Sequence, residues 1–187
     1  MLKKMAMTLA ISAGACYVPL VAHAQGLTGS QVSGGIYCCQ APTGELGTNL
    51  VTETVGPAVE FPNGVFMPTG SRTPIPVTID VTSNTIDISY SRRSVAAGGA
   101  FDGYILDFAG APEITGVSLD PLSTVTPVSL TSDSNTVFVN VAGQLLPADS
   151  RMLISVLAVP EPQNLAMLLG GIGILGFYGR RRRHNMG

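Results

Sequence analysis

Lysine and histidine are nearly absent from this chain of 187 residues and tryptophan is absent, and the scarcity of lysine and histidine excludes several kinds of active site. Lysine occurs only at Lys3 and Lys4, histidine only at His23 and His184, and tryptophan nowhere. The long middle part therefore has no base for a Ser-His-Asp or Cys-His arrangement, no histidine ligand for zinc and no amine for a Schiff base. We predict a non-catalytic protein that uses no metal and no cofactor.

Positive charge is also scarce in the middle of the chain. From residue 25 to residue 162 there are four arginines and twelve acidic residues, so the net charge is 4 − 12 = −8. A strongly acidic domain disfavours binding to nucleic acid or to an anionic membrane surface. Carboxylates alone suffice for glycoside hydrolysis, which leaves a carboxylate-dependent hydrolase as the one enzyme class still open.

The N-terminus has the pattern of a secretory signal peptide. A basic start precedes the apolar run Met5–Ala15, and Ala22 and Ala24 are small residues at the positions that signal peptidase reads. We predict a signal peptide over residues 1–24, export through the Sec translocon and cleavage after Ala24. A weaker lipoprotein-like box, Ala13–Cys16, is an alternative that also places the mature protein outside the inner membrane.

The C-terminal region has the pattern of a membrane segment with a basic tail. Residues 164–179 carry no charge, and as a helix they extend roughly 24 Å, short for a hydrocarbon core of about 30 Å. Snorkelling arginines reduce the mismatch, and a cluster of arginines beside a span stays in the cytoplasm, so the preceding domain faces outward. A plain anchor and a buried helix of a soluble domain are the alternatives. The cytoplasmic cluster consists of Arg180, Arg181, Arg182 and Arg183.

Pro160-Glu161-Pro162 stands immediately before this segment. Motif, apolar segment and arginines, over about residues 159–183, resemble the PEP-CTERM sorting signal of Gram-negative bacteria. The resemblance implies that Pro160, Glu161 and Pro162 are recognised by exosortase, an integral-membrane cysteine transpeptidase-like enzyme, and that the tail is discarded. It also implies an intermediate in the inner membrane and a destination at the cell surface, in the envelope or in the extracellular matrix, in association with exopolysaccharide and biofilm.

Residues 25–158 have the pattern of an all-β extracytoplasmic domain. Short runs rich in Val, Ile, Thr, Phe and Tyr alternate with clusters of Gly, Pro, Ser, Asn and Asp. Val77–Val81 and Ile86–Tyr90 alternate apolar and polar residues on either side of a turn, which predicts a hairpin with one solvent-exposed face. Roughly 8–10 strands predict a β-sandwich or jelly roll. Further predicted strands are Val65–Met67, Gly103–Phe108, Ile114–Leu119, Val125–Leu130, Thr136–Val141 and Met152–Ala158, the last of them central and covered on both faces.

The predicted hairpin has a faint copy further along the chain. Val77–Ile88 and Val128–Val139 share apolar positions and a Ser-Asn-Thr turn. Two equivalent hairpins in a pseudo-symmetric sandwich would produce this similarity, and so would two ordinary hairpins with the same turn chemistry. There is no array of three or more copies, so a solenoid is not indicated.

Two vicinal cysteines, Cys38 and Cys39, remain after removal of the signal peptide. In an oxidising compartment they can close a strained disulfide with each other or pair with another chain, and the alternative is two small buried residues. Ligands of matching type for a metal site are lacking.

One loop carries the side chains of a candidate ligand site. Arg92, Arg93, Phe101 and Asp102 flank a glycine-rich stretch, and such side chains can hold sugar hydroxyls or an acidic polysaccharide. The alternative is a solvated loop whose Phe101 and Tyr104 fill the core.

These features together predict an exported, surface- or matrix-destined, non-catalytic β-domain protein with a structural or adhesive role. A carbohydrate-binding module attached to extracellular polysaccharide is the second hypothesis. A secreted glycoside hydrolase with two catalytic carboxylates is the third.

Overall fold

A computed structural model describes residues 26–39, 50–67 and 73–159, together with the single residue 172. The predicted signal peptide, the Pro-Glu-Pro motif and the arginine tail lie outside these residues, as does the predicted membrane segment apart from residue 172. Among the described residues there is no helix with the length and hydropathy needed to cross a bilayer.

The described ranges contain eleven strands. In chain order they are β1 (Gln31–Cys38), β2 (Val51–Thr54), β3 (Val77–Val81), β4 (Thr85–Tyr90), β5 (Ser94–Val95), β6 (Asp102–Ala109), β7 (Glu113–Leu119), β8 (Ser129–Ser132), β9 (Thr136–Asn140), β10 (Leu145–Leu146) and β11 (Arg151–Val159). Sheet A has the order β2-β1-β6-β9-β8, sheet B has the order β3-β4-β11-β7, and β5 pairs with β10 in a short ribbon. Neighbouring strands are antiparallel throughout, which confirms the predicted all-β class.

Sheets A and B share one hydrophobic core. Along β3 and β4 every second side chain is buried, as expected for strands that are covered on one face only. Buried apolar side chains of both sheets belong to a single cluster, and their removal from water is the main favourable term in folding. Its largest fully buried members are Tyr90, Phe61, Phe66, Phe108 and Leu27.

The predicted hairpin and the predicted central strand are both present. β3 pairs with β4, with Ile79 opposite Ile88, and β11 lies between β4 and β7. The prediction that β11 is covered on both faces is wrong, because Leu157 is 64% exposed while Met152, Ile154 and Val156 are buried. Sheet B has the core on one side and solvent on the other.

Several strand assignments differ from the sequence pattern, which also does not predict β2, β5 and β10. Residues 65–67 are not a strand, although Phe66 is buried from a loop. β8 begins at Ser129, later than the pattern indicates. The pattern does not predict β1, because Gly34 and Gly35 interrupt its apolar alternation. Gly34 is required there, since a Cβ would lie 2.8 Å from the Phe61 ring.

Two hairpins occupy equivalent places in the two sheets. In the β3–β4 turn the Thr82 amide donates to the Thr85 carbonyl over 2.9 Å. In the β8–β9 turn the Asp133 amide donates to the Thr136 carbonyl over the same distance. Each turn also accepts two further backbone hydrogen bonds, at its serine and asparagine carbonyls. These bonds are Leu27 to Ser83 and Ile114 to Ser134, each 2.7 Å, and Val156 to Asn84 and Phe108 to Asn135, each 2.8 Å.

The equivalence extends over the whole sandwich. Sheet B reads β3-β4-β11-β7, and sheet A without β2 reads β8-β9-β6-β1. Strands β1, β3, β4, β5 and β6 therefore correspond to β7, β8, β9, β10 and β11. In the ribbon between β5 and β10, Val95 lies opposite Leu145 and Ser94 opposite Leu146, as a two-fold axis through the ribbon requires. Of the two explanations for the sequence copy, the structure favours the pseudo-symmetric sandwich.

The strand directions give the sandwich two distinct ends. The terminal end comprises Leu27, the turns at 82–84, 110–112 and 133–135, and Val159. The loop end comprises Cys38 and Cys39 and the loops at 91–101, 120–128 and 141–150. The described part of the chain therefore begins and ends at the same end of the sandwich.

Candidate functional site

The two halves differ most at the loop end. Between β1 and β3 the chain runs from residue 39 to residue 76, whereas the corresponding connection, between β7 and β8, covers only 120–128. The β5–β6 loop is also longer than the β10–β11 loop. By the pseudo-two-fold symmetry, Val95 in the ribbon corresponds to Leu146. Phe108 corresponds to Val156, because each donates its amide to the asparagine carbonyl of one of the two turns. The stretch between these positions is longer in the first half, and the extra length lies within 96–101.

The two extra segments contact each other. The Cys39 amide donates to the Phe101 carbonyl over 2.6 Å. Gly99 has a φ of +138°, and a Cβ at that position would overlap the backbone of Cys39. Cys38 and Cys39 are joined by a disulfide, and Cys39 itself is exposed and has a φ of +83°. The features that distinguish one half from the other therefore meet at a single point.

Asn140 holds the glycine-rich loop in place. Its Oδ1 accepts from the amides of Asp102, at 3.1 Å, and Ala142, at 3.0 Å, while its Nδ2 donates to the Ala100 carbonyl over 3.1 Å. The Asp102 carboxylate accepts a backbone hydrogen bond from Ala97, and burial raises the pKa of Asp102 above its ordinary value. A satisfied buried polar network of this kind fixes one loop conformation.

A buried tyrosine pair lies directly behind this loop. The Tyr104 hydroxyl donates to the Tyr90 hydroxyl over 2.9 Å, and the ring centroids are 6.4 Å apart. Burial is the main cause that raises the pKa of both tyrosines, and the nearby Asp102 charge adds to it. The symmetry-related positions are Val141 and Met152, so the hydroxyl pair occurs in one half only.

The structure separates the four residues of the predicted ligand loop. Arg92 and Arg93 are exposed at the loop end, and neither forms an ion pair with another described residue. Phe101 and Asp102 are buried, with 6% and 8% of their surface exposed, and they anchor the loop from inside. Of the four, only the arginines are presented to a ligand from solvent.

Other acidic side chains accept hydrogen bonds from groups within the domain. Glu60 is buried, and its two carboxylate oxygens accept from the amides of Gly56 at 2.9 Å and Val81 at 2.7 Å. Asp87 makes a bidentate ion pair with Arg151, with both N–O distances 2.7 Å. Within the described residues there is no group of three or more His, Cys, Asp or Glu side chains that could hold a metal ion.

The sequence alone does not identify Asn140 and Gly99. The Gly98-Gly99 pair signals an unusual backbone, but the partner of Gly99 is Cys39, which lies far away in the chain. Asn140 follows a regular apolar alternation in β9, and its role depends on the antiparallel partner β6. Neither contact has a local signature.

Residues 158–183 match the family model of the PEP-CTERM protein-sorting motif. The match covers the predicted motif, apolar segment and arginines. Its first two residues, 158 and 159, are the last two residues of β11. No curated protein and no solved structure matches the chain. The similarity is therefore confined to a sorting signal, and the sandwich does not take part in it apart from the last two residues of β11.

The glycine contact predicts a sharp difference between neighbouring positions. Gly99→Ala is expected to lower the free energy of unfolding by about 1–3 kcal/mol, because the new Cβ meets the Cys39 backbone and the backbone conformation disfavours alanine. Gly98→Ala is the matched control, since nothing lies within 4 Å of its Cβ position. Urea denaturation of the mature protein measures both, and equal effects would contradict the contact.

The tyrosine pair predicts a loss of stability at high pH. Both folded-state pKa values are raised above the unfolded value of 10.0, so the folded state keeps protons that the unfolded state releases. The stabilising contribution is complete below about pH 10 and is lost as the pH rises further. Replacing both residues by phenylalanine should flatten this fall in a pH series of denaturation curves. An unchanged slope would show that other groups cause it.

Proposed function

We propose that the chain is an exported, non-catalytic β-sandwich protein with a structural or adhesive role at the cell surface or in the extracellular matrix. The observation that carries the proposal is the match of residues 158–183 to the PEP-CTERM sorting motif. That motif implies processing by an exosortase and an extracytoplasmic destination. A Gram-negative host, and an association with exopolysaccharide and biofilm, follow from the likeness to the sorting signal and belong to the proposal.

The order of features along the chain supports this route. A signal peptide over residues 1–24 starts export, the uncharged segment 164–179 stops it in the inner membrane, and the arginines hold the tail in the cytoplasm. Exosortase then recognises Pro160-Glu161-Pro162. Two prolines keep that motif extended and separate it from a following helix, which makes it accessible to an enzyme.

The position of the two ends supports display of the loop end. The described domain begins at Gly26 and ends at Val159, both at the terminal end. The proposed signal peptide and the proposed membrane segment are therefore both attached at that end. The loop end, with Cys39, Arg92 and Arg93, is the end of the domain opposite to both attachments.

The placement of the carboxylates supports a role without catalysis. Glu60, Asp87, Asp102 and Asp107 accept hydrogen bonds from the protein itself, so these acids stabilise loops, strands and turns. A glycoside hydrolase needs two carboxylates on either side of a sugar. The third hypothesis therefore gains no support from the described residues.

Replacing Pro160, Glu161 and Pro162 together by alanine is expected to block maturation. Full-length protein should accumulate in the inner membrane, because the enzyme no longer recognises its motif. Immunoblotting of separated inner membrane, envelope and medium measures the shift. Arg92→Ala/Arg93→Ala is the control that should mature like the wild type, and normal maturation of the triple-alanine protein would refute sorting by this motif.

Exposure of Arg92 and Arg93 keeps the carbohydrate-binding alternative open for acidic polysaccharide. Two exposed arginines can pair with the carboxylates of such a polymer. If the sandwich is a binding module of this kind, immobilised acidic polysaccharide from the host should retain the wild type and release most of Arg92→Ala/Arg93→Ala. Equal retention of the two proteins, or no retention of either, would refute the binding module and leave the structural role as the only proposal.

A further inference from the structure

The folded domain continues directly into the sorting motif. β11 remains paired with β7 as far as Val159, which lies opposite Glu113. The first two residues of the family match, 158 and 159, are the last two of the strand. Pro160 follows Val159 in the sequence, so the residues that exosortase reads come directly after the last described residue of β11.

The proposed membrane segment begins only a few residues further on. Residues 160–163 connect Val159 to the start of that segment at Asn164, and the distance from Val159 to Asn164 is at most roughly 18 Å when the chain is extended. The polar layer on one side of a bilayer is roughly 5–8 Å thick. The terminal end therefore stands no more than about 13 Å above the headgroups in the precursor. An enzyme that grips residues 160–162 has to reach them within this gap, beside the terminal end.

Charge is distributed unevenly between the two ends. The described arginines, Arg92, Arg93 and Arg151, all lie at the loop end. The half of the sandwich next to the terminal end carries only acidic charges among its described residues. Those that are exposed are Glu53, Glu113 and Asp133.

This distribution favours a protein partner over lipid. An acidic surface is repelled by anionic headgroups and attracted by a basic protein surface. Beside Glu113, the apolar side chains of Leu157 and Val159 are 64% and 51% exposed, which adds contact area for such a partner.

We propose that the terminal end is a docking surface for the exosortase and that the enzyme surface facing it is basic. The inference rests on the proposed function, because it assumes that exosortase processes this chain. It adds that the enzyme reads the folded domain as well as the Pro-Glu-Pro motif. The residues that carry it are Glu113 and Asp133, which are on either side of the contact between β7 and the β8–β9 turn.

The test compares neutralised acids at the two ends in the full-length protein in its host. Glu113→Gln/Asp133→Asn removes two charges at the terminal end while leaving similar side-chain shapes. Asp120→Asn/Asp149→Asn removes two charges at the loop end and is the matched control. Pulse-chase labelling measures the rate of tail loss, which should fall roughly five-fold for the first variant and stay unchanged for the second.

Insertion of a spacer distinguishes a defect in docking from a defect in folding. When about ten Gly and Ser residues are inserted between Val159 and Pro160, the motif can be reached without contact to the sandwich. Glu113→Gln/Asp133→Asn should then mature at the same rate as its own spacer-bearing parent. Recovery of this kind supports docking.

Two results would overturn the inference. One is an equal rate of tail loss for the terminal-end variant and the wild type. The other is a slow rate that persists with the spacer, because the defect then lies in folding or export. Failure of the inference is distinguishable from failure of the proposed function: in the first case the triple-alanine change at 160–162 still blocks maturation, and in the second it does not.

Discussion

The sandwich depends on the backbone hydrogen bonds that its two Ser-Asn turns accept. Each turn closes one hairpin, and its serine and asparagine carbonyls accept hydrogen bonds from backbone amides outside that hairpin. Through Val156 and Phe108 these bonds fix β11 against β4 and β6 against β9. Each sheet therefore contains strands of both halves, and the halves share a single core. Unpaired backbone groups in such turns would be costly, which makes the turn sequence a constraint on the whole fold.

Departures from the two-fold symmetry show where the domain has acquired its own features. The long β1–β3 connection and the extended β5–β6 loop meet at Cys39 and Gly99. Behind them, Tyr90 and Tyr104 replace the apolar pair of the other half. The terminal end keeps its symmetric turns and carries both connections to the rest of the chain. In the proposed route, display occurs at one end, and attachment and processing occur at the other.

The sequence predicted those features that depend on neighbouring residues. Alternation at Val77–Tyr90 gave a correct hairpin, and the Pro-Glu-Pro motif with its apolar segment and arginines led to the correct family of sorting signals. Features that depend on distant partners were not predicted. β1 was not predicted because Gly34 interrupts its pattern, and glycine is needed there because the ring of Phe61 occupies the place of a Cβ. The roles of Phe101 and Asn140 follow from loop contacts across sheet A. The second copy of the hairpin pattern was visible, but only the shared hydrogen bonds distinguish symmetry from coincidence.

In the proposed route, the sandwich is released from a precursor by cutting at both of its connections, which leave from the same end. Intact-mass spectrometry of the protein recovered from the envelope and the medium of its host tests this directly. Cutting at both connections predicts a single species that begins at Gln25 and ends close to Pro162, without lysine, histidine or the arginine tail. A mass that corresponds to a C-terminus still at Gly187 would contradict it and would make the protein a simple membrane-anchored domain.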